Sequence, residues 1–489
     1  MPIRHRTCDR CYRIKVRCHR DEGLDECERC IRLGFQCEIR RPIRRPGPRV
    51  QHNHDAEESH EDGMLMSRLN QEIPSGLDDF SHAIRHFDQT EMILLEFMLD
   101  KPAFISRYVE GPTFQEELRG MLVCQLILNP QLLKEGYLAC VGYVHGLHIP
   151  RLALESRDKT IERSSRALRT LSSMRAGTAL EVSTMLTLAM ALITSSTQLT
   201  GLPSRPITQA ALQMTKPWIM HNGWDLVTHD SNFLCMVMHE TIDCLIIREL
   251  PTIRLEHIVT YRVDRYLGIS VSIQPILYDL AQFGWRSRNH KCKLSDSSSN
   301  EAEAMLQSLT DIWNRINRWT PVRPTEALPK LAPLQARLIE SQVACFQLTA
   351  KLLVLEYSAF LFDNAQLPSL GLPLDNPRYV AHSIMAHLEV FSRPTSNCRR
   401  YITFPYFVAA LTLGSRPNAA DLEIDDQDYQ LYRDELADRL RLYTNGTSDA
   451  CCERMVEFAQ TTWKEQDHTS ERLSWLEMID RTASFSIGI

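Results

Sequence analysis

The feature that most constrains this chain is a pair of identical cysteine half-motifs near its start. Cys8, Cys11, Cys18, Cys27, Cys30 and Cys37 read C-x2-C-x6-C twice in tandem. They are six of fifteen cysteines, the rest being scattered along the chain. The opening residues, MPIRHRTCDR, have no apolar stretch after their basic residues, so a secretory signal is not expected. With 44% hydrophobic and 24% charged residues the remainder is of ordinary globular composition. A reducing compartment is the expectation, and there such spacing points to metal rather than to three disulfides. Zinc takes four thiolates in a tetrahedron, and each half-motif supplies three. The shortfall closes if the first cysteine of each half bridges both ions. Cys8, Cys11, Cys18 and Cys27 then hold one Zn²⁺, and Cys27, Cys30, Cys37 and Cys8 hold the other. Two ions against six thiolates leave a net negative cluster, which nearby Arg and Lys offset.

Charge is divided in the same way. Residues 1–50 carry 14 Lys+Arg against 7 Asp+Glu, and the rest carries 41 against 54, so a basic head of +7 precedes an acidic body of −13. That asymmetry points to nucleic acid as the partner of the head. Basic residues also lie inside the first half-motif, in the run Cys11-Tyr12-Arg13-Ile14-Lys15-Val16-Arg17-Cys18. A cluster this small has almost no apolar core, so metal binding must supply most of its folding free energy.

The six-cysteine spacing and this basic run resemble the fungal binuclear zinc-cluster (Zn2Cys6) DNA-binding domain. Two departures stand out: Gly23 lies in the loop where members often carry a proline, and Ile14 stands where many keep a second basic residue. The resemblance implies that Lys15 contacts bases in the major groove of a CGG-type triplet of double-stranded DNA. A lysine suits the O6 and N7 acceptors that guanine displays there. Arg13, Arg17, Arg10, Arg6 and Arg20 are expected on phosphates, giving affinity and salt dependence rather than sequence choice. Arg40, Arg41, Arg44 and Arg45 follow the backbone beyond the triplet, or serve as a nuclear-import signal. Relatives often pair through a coiled coil after the cluster. Its heptads are not evident here, so monomeric binding and a homodimer formed through the body both stay open.

Beyond the head (residues 1–40), residues 41–77 read as a basic, Pro-rich and then polar linker. From 78 to 489 the pattern is helical. Apolar stripes at spacings of three and four run over 90–100, 115–128, 131–148, 159–173, 179–196, 232–249, 301–318, 334–362, 378–391, 428–444, 452–464 and 470–482. Segments 292–302, 320–333 and 363–377 read as surface loops. No unbroken run of eighteen apolar residues occurs, so no membrane span is expected. The predicted fold class is all-α: a small N-terminal binuclear zinc-cluster domain, a flexible linker and a large all-helical regulatory domain. The body resembles the regulatory region of fungal zinc-cluster factors, best over 236–254. There an amphipathic helix runs into Arg248-Glu249-Leu250-Pro251, similar to an Arg-Glu-x-Pro turn such proteins carry.

Catalytic motifs are missing from the sequence: it holds no G-x-S-x-G, Walker loop, H-E-x-x-H or G-x-G-x-x-G. His239-Glu240 lacks the second histidine and reads as an exposed or half-buried helix pair. His52, His54 and His60 with Asp55 and Glu58 read as solvated linker. Cys124, Cys140, Cys235, Cys244 and Cys345 read as core thiols, and Cys451-Cys452 as helix packing. The Met185 to Leu192 stripe reads as core, and the acidic stretch 421–426 as a loop. Three functions are weighed. The first is a nuclear, sequence-specific transcription regulator whose body contacts transcription machinery or co-regulators. The others are a metabolite-binding helical protein or enzyme, and a zinc-containing protein–protein adaptor. The basic run favours the first over the adaptor, and the missing catalytic motifs disfavour an enzyme.

Overall fold

The structure is a computed structural model. It describes Cys8, Cys18, Cys27, Cys30, Ile31 and Cys37 of the head. In the body it describes residues 84–100, 102–109, 111–148, 156–199, 204–224, 229–256, 262–289, 299–324, 331–361, 376–392, 402–415, 426–443, 450–468 and 474–481. The chain divides into two compact units, Met1–Gly63 and Met64–Ile489. The linker, the loop at 363–375 and the acidic stretch 421–425 lie outside the described residues, as do His52, Asp55 and their neighbours.

Helices make up the larger unit, and no strand occurs among the described residues; the one β-bridge joins Asp264 to Gly268. The first eight helices are α1 (Gln89–Asp100), α2 (Pro102–Ile105), α3 (Pro112–Leu128), α4 (Pro130–His148), α5 (Arg157–Ser173), α6 (Ala179–Leu199), α7 (Arg205–Asn222) and α8 (Ser231–Ile247). Then follow α9 (Gln274–Asn289), α10 (Ser299–Arg318), α11 (Pro333–Leu361), α12 (Pro377–Leu388), α13 (Thr403–Gly414), α14 (Asp426–Tyr443), α15 (Ala450–His468) and α16 (Trp475–Arg481). Five of them begin on a proline, and for the four that carry a predicted stripe (α3, α4, α11 and α12) the stripe starts one to three residues late. Proline occupies a first helical turn at no cost, because its missing N–H would have no partner there.

Helix starts are fixed by side chains. The Glu91 carboxylate accepts the Asp88 N–H at 2.9 Å while Asp88 accepts the Glu91 N–H at 2.8 Å. Before α6 the Thr178 hydroxyl accepts the Glu181 N–H while the Glu181 carboxylate accepts the Gly177 N–H, and before α16 the Ser474 hydroxyl accepts the Leu476 N–H while the Glu477 carboxylate accepts the Ser474 N–H. The first is a reciprocal capping box, and the other two are variants of it. At α8, Asp230 accepts from the N–H groups of Asn232 and Phe233 at 2.8 and 3.3 Å.

One continuous apolar core runs through the unit, from Phe87 to Ile479. Helix α8 lies at its centre, buried from Ser231 to Ile246, against α6, α7, α9 and α16. Around it α4 packs on α1, α5 and α6, while α11, α12 and α13 form a second layered group. Helices α6 and α11 are long and apolar enough to cross a membrane by composition. Their most apolar stretches are 56% and 67% buried against neighbouring helices, as core helices are.

Buried charge joins the first group. Glu91 on α1 accepts from Lys134 on α4 at 2.7 Å and from Arg163 on α5 at 2.9 Å. Arg163 also meets Glu135 at 3.1 Å. Burial pushes the Glu91 carboxyl up, but Lys134, the Asp88 N–H and Arg163 together outweigh it and hold the carboxyl below its usual range. A carboxyl depressed by folding contributes stability above its unfolded value of about 4.3 and loses it as pH falls through the folded value. Acid titration of the thermal midpoint should therefore be steeper in the natural protein than in Glu91→Gln. Parallel acid limbs would contradict this.

Four helices have no counterpart among the predicted stripes. Helix α2 is a single turn. Helix α7 carries Pro217 inside it. Helix α13 is buried at all twelve positions, so it has no polar face to reveal a period. Helix α9 does carry a legible stripe in Ile276, Leu277, Leu280 and Ala281.

Candidate metal centre

The thiol sulfurs of the head come together. Those of Cys8, Cys27, Cys30 and Cys37 all lie within 4.8 Å of one another. The Cys8 sulfur is 3.8 Å from that of Cys27 and 3.9 Å from that of Cys30. Cys8, Cys27 and Cys30 are buried, and Cys18 and Cys37 are half-buried. A repeat in geometry matches the repeat in sequence. The Cys8 N–H donates to the Cys18 sulfur at 3.4 Å, and the Cys27 N–H donates to the Cys37 sulfur at 3.2 Å. In each half the first cysteine's backbone thus holds the third cysteine's sulfur, ten residues on. Ile31 N–H bonds to Cys27 O at 3.1 Å, the helical turn that delivers the second C-x2-C pair.

The donor set fits zinc. Burial, with the sulfurs of Cys27, Cys8 and Cys37, pushes the Cys30 thiol far up, and burial also raises Cys18. Thiolates this close repel one another, and a divalent cation among them removes that penalty. Cys11 lies outside the described residues, as do Lys15, Arg6, Arg10, Arg13, Arg17, Arg20, Arg40, Arg41, Arg44 and Arg45.

In the body the structure corrects two expectations. His239 and Glu240 are not surface residues but are buried at 3% and 0% exposure. Glu240 is kept in the core by Thr252, whose N–H donates to it at 2.8 Å and whose hydroxyl donates at 2.5 Å. His239 faces the Ser204 hydroxyl at 3.3 Å. Cys124 is half-buried rather than a core thiol, whereas Cys140, Cys235, Cys244 and Cys345 are buried. Cys451 and Cys452 are both buried in α15 and form no disulfide.

The turn after α8 shows why its residues are what they are. Arg248 ends the helix in the left-handed conformation, with φ 53° and ψ 53°. Its guanidinium is buried over the Phe360 ring, 4.9 Å from the centroid, and pairs with Asp480 on α16. Arg288 on α9 reaches the same Asp480 at 3.3 Å. Three helices are fastened by one turn.

The head's clustered thiols define a metal-binding centre, carried in the same chain as an all-helical body. Comparison with known proteins agrees. Residues 6–46 match the fungal Zn(2)-Cys(6) binuclear cluster domain, and residues 145–488 match the fungal specific transcription factor domain. The second match covers more than half of the chain. The chain belongs to the fungal specific transcription factors, which are DNA-binding regulators and not enzymes, and its zinc-cluster domain binds two zinc ions. It is similar to the C6 finger transcription factor fumR of Aspergillus fumigatus, with 50% identity over 40 residues, 8% of this chain and 6% of that protein. No solved structure matches the chain.

Proposed function

We propose that this protein is a nuclear regulator that reads CGG-type triplets in double-stranded DNA through its zinc head and engages co-regulators through its helical body. The observation that carries the reading is the paired N–H to sulfur geometry of the two half-motifs, set in a segment with a basic run. Cys8, Cys11, Cys18 and Cys27 hold one zinc ion, and Cys8, Cys27, Cys30 and Cys37 hold the other. Cys8 and Cys27, both 0% exposed, are the bridging pair. The ions supply the cross-links that an apolar core supplies in a larger domain. Around them the chain's own residues bind DNA: Lys15 hydrogen-bonds guanine, while Arg6, Arg10, Arg13, Arg17 and Arg20 neutralise phosphates. Arg40, Arg41, Arg44 and Arg45 extend that track.

Selection of the full-length chain against random duplexes tests this and gives triplet, spacing and stoichiometry together. Enrichment of no CGG-like triplet would overturn the triplet reading. Lys15→Ala should keep its zinc and lose about 1–3 kcal/mol of discrimination at one base pair, read by anisotropy on matched and mismatched duplexes. Equal loss on both would make Lys15 a phosphate contact.

A further inference from the structure

The core of the body is incompletely filled at one place. Stripes from several helices converge there on a cavity of about 80 Å³. Helix α6 contributes Thr187, Met190, Ala191 and Thr194, at helical spacings of three, four and seven. Helix α8 contributes Asn232, Cys235 and His239 at three and seven. Neighbouring core positions carry Leu, Ile and Phe. Here α6 and α8 also place Thr187, Ala191, Thr194, Asn232 and Cys235, smaller than the Leu, Ile and Phe around them, and that leaves a gap.

Its chemistry is specific. No Asp, Glu, Lys or Arg lines it. Three methionines, Met98, Met121 and Met190, line it together with the rings of Phe104, Tyr108 and Tyr137. Thioether sulfurs make favourable contacts with aromatic rings, and unbranched methionines adapt to what they enclose. The buried polar groups are already held. Asn232, 2% exposed, donates to Thr187 Oγ1 at 3.1 Å and accepts from Arg265 at 3.2 Å and from the Tyr266 hydroxyl at 3.4 Å. The Tyr108 hydroxyl meets the Cys140 sulfur at 3.8 Å, a weak bond that a stronger acceptor would replace. Met190, Ala191 and Thr194 of α6 are half-buried, as are Tyr108, Met121 and Leu122, so the cavity reaches toward the surface.

We propose that this cavity binds a small, neutral aromatic molecule carrying a hydroxyl or carbonyl group. A benzene-sized ring occupies a dry cavity of about 150 Å³. Entry therefore requires the methionine side chains to swing aside, and they are the residues best able to do so. An anion is excluded because burying it without a lining cation costs too much. The inference concerns the body alone and stands or falls independently of the DNA-reading head.

Calorimetry of the full-length, zinc-loaded protein tests it, with phenol and indole as probes and benzoate as the charged control. Phenol and indole should raise the unfolding midpoint of the body saturably, by about 2–4 °C, and benzoate should not. Ala191→Leu, which narrows the cavity, should abolish the shift. A readout on the natural chain covers the case in which that variant fails to fold. Alkylation of Cys140 and Cys235 by N-ethylmaleimide, mapped by mass spectrometry, should slow about tenfold at indole ten times its dissociation constant. Cys124, half-buried and outside the cavity, should react at an unchanged rate. An unsaturable or missing shift, an equal shift with benzoate, or Cys140 and Cys235 left unprotected overturns the proposal.

Discussion

Cys27→Ser should empty the head of zinc and abolish specific DNA binding while leaving the body's thermal transition where it is. Cys27 is the residue through which the two halves meet: its sulfur lies 3.8 Å from that of Cys8, and its N–H holds Cys37 at 3.2 Å. Among the described head residues the buried cluster consists of thiols, and Ile31 is half exposed. Structural zinc supplies roughly 10–16 kcal/mol in comparable small sites, far beyond what so small a core provides. Serine keeps the shape but is a poor zinc ligand. On the proposed bridging role of Cys27, its loss is expected to take the zinc content from two per chain to near none. Affinity for a matched duplex should fall at least about a hundredfold, the loss associated with disrupting a metal site. Because the larger unit is compact on its own from Met64 onward, its calorimetric transition should not move. Retention of two ions in the variant would show that Cys27 does not bridge.

Arg163→Ala should be the most damaging single change in the body, destabilising it by about 3–5 kcal/mol. Arg163 is 2% exposed and joins Glu91 of α1 to Glu135 of α4 from its place on α5. Removing it leaves Glu91, 5% exposed, with Lys134 as its remaining ion-pair partner. The cost is that of a buried carboxylate left with only Lys134 and the Asp88 N–H to offset its desolvation, together with the loss of the Glu135 pair. Two consequences separate this from cavity formation. Urea unfolding should show an unchanged slope with a lowered midpoint. The double variant Arg163→Ala/Glu91→Gln should recover part of the loss, since the orphaned charge is gone. A double variant as unstable as the sum of the singles would assign the effect to packing instead.

The head was legible in the sequence because metal geometry leaves little freedom: six cysteines at fixed spacing admit few arrangements of two tetrahedra. The body was legible where a helix has one wet face, as in α5 and α10, whose stripes recur every three to four residues. It was illegible where burial is complete. All twelve residues of α13 are buried, and Gly414 at its end sits so close to Trp463 that a Cβ would overlap the indole. The Glu240 burial was hidden for another reason. Its partner Thr252 lies twelve residues on, past the turn at Arg248, and a charged residue in a helical window reads as solvent-facing. The cavity was likewise beyond periodicity, since Thr187, Asn232 and Tyr137 meet only in three dimensions.

The most direct measurement of the central claim follows DNA binding against zinc. The full-length chain is stripped with chelator under reducing conditions, then titrated with Zn²⁺ while anisotropy reports its hold on a matched duplex. Binding should be absent at the start and should reach its plateau as the metal arrives at two ions per chain. Undiminished binding by the stripped protein, or a plateau reached with no metal taken up, would contradict the account.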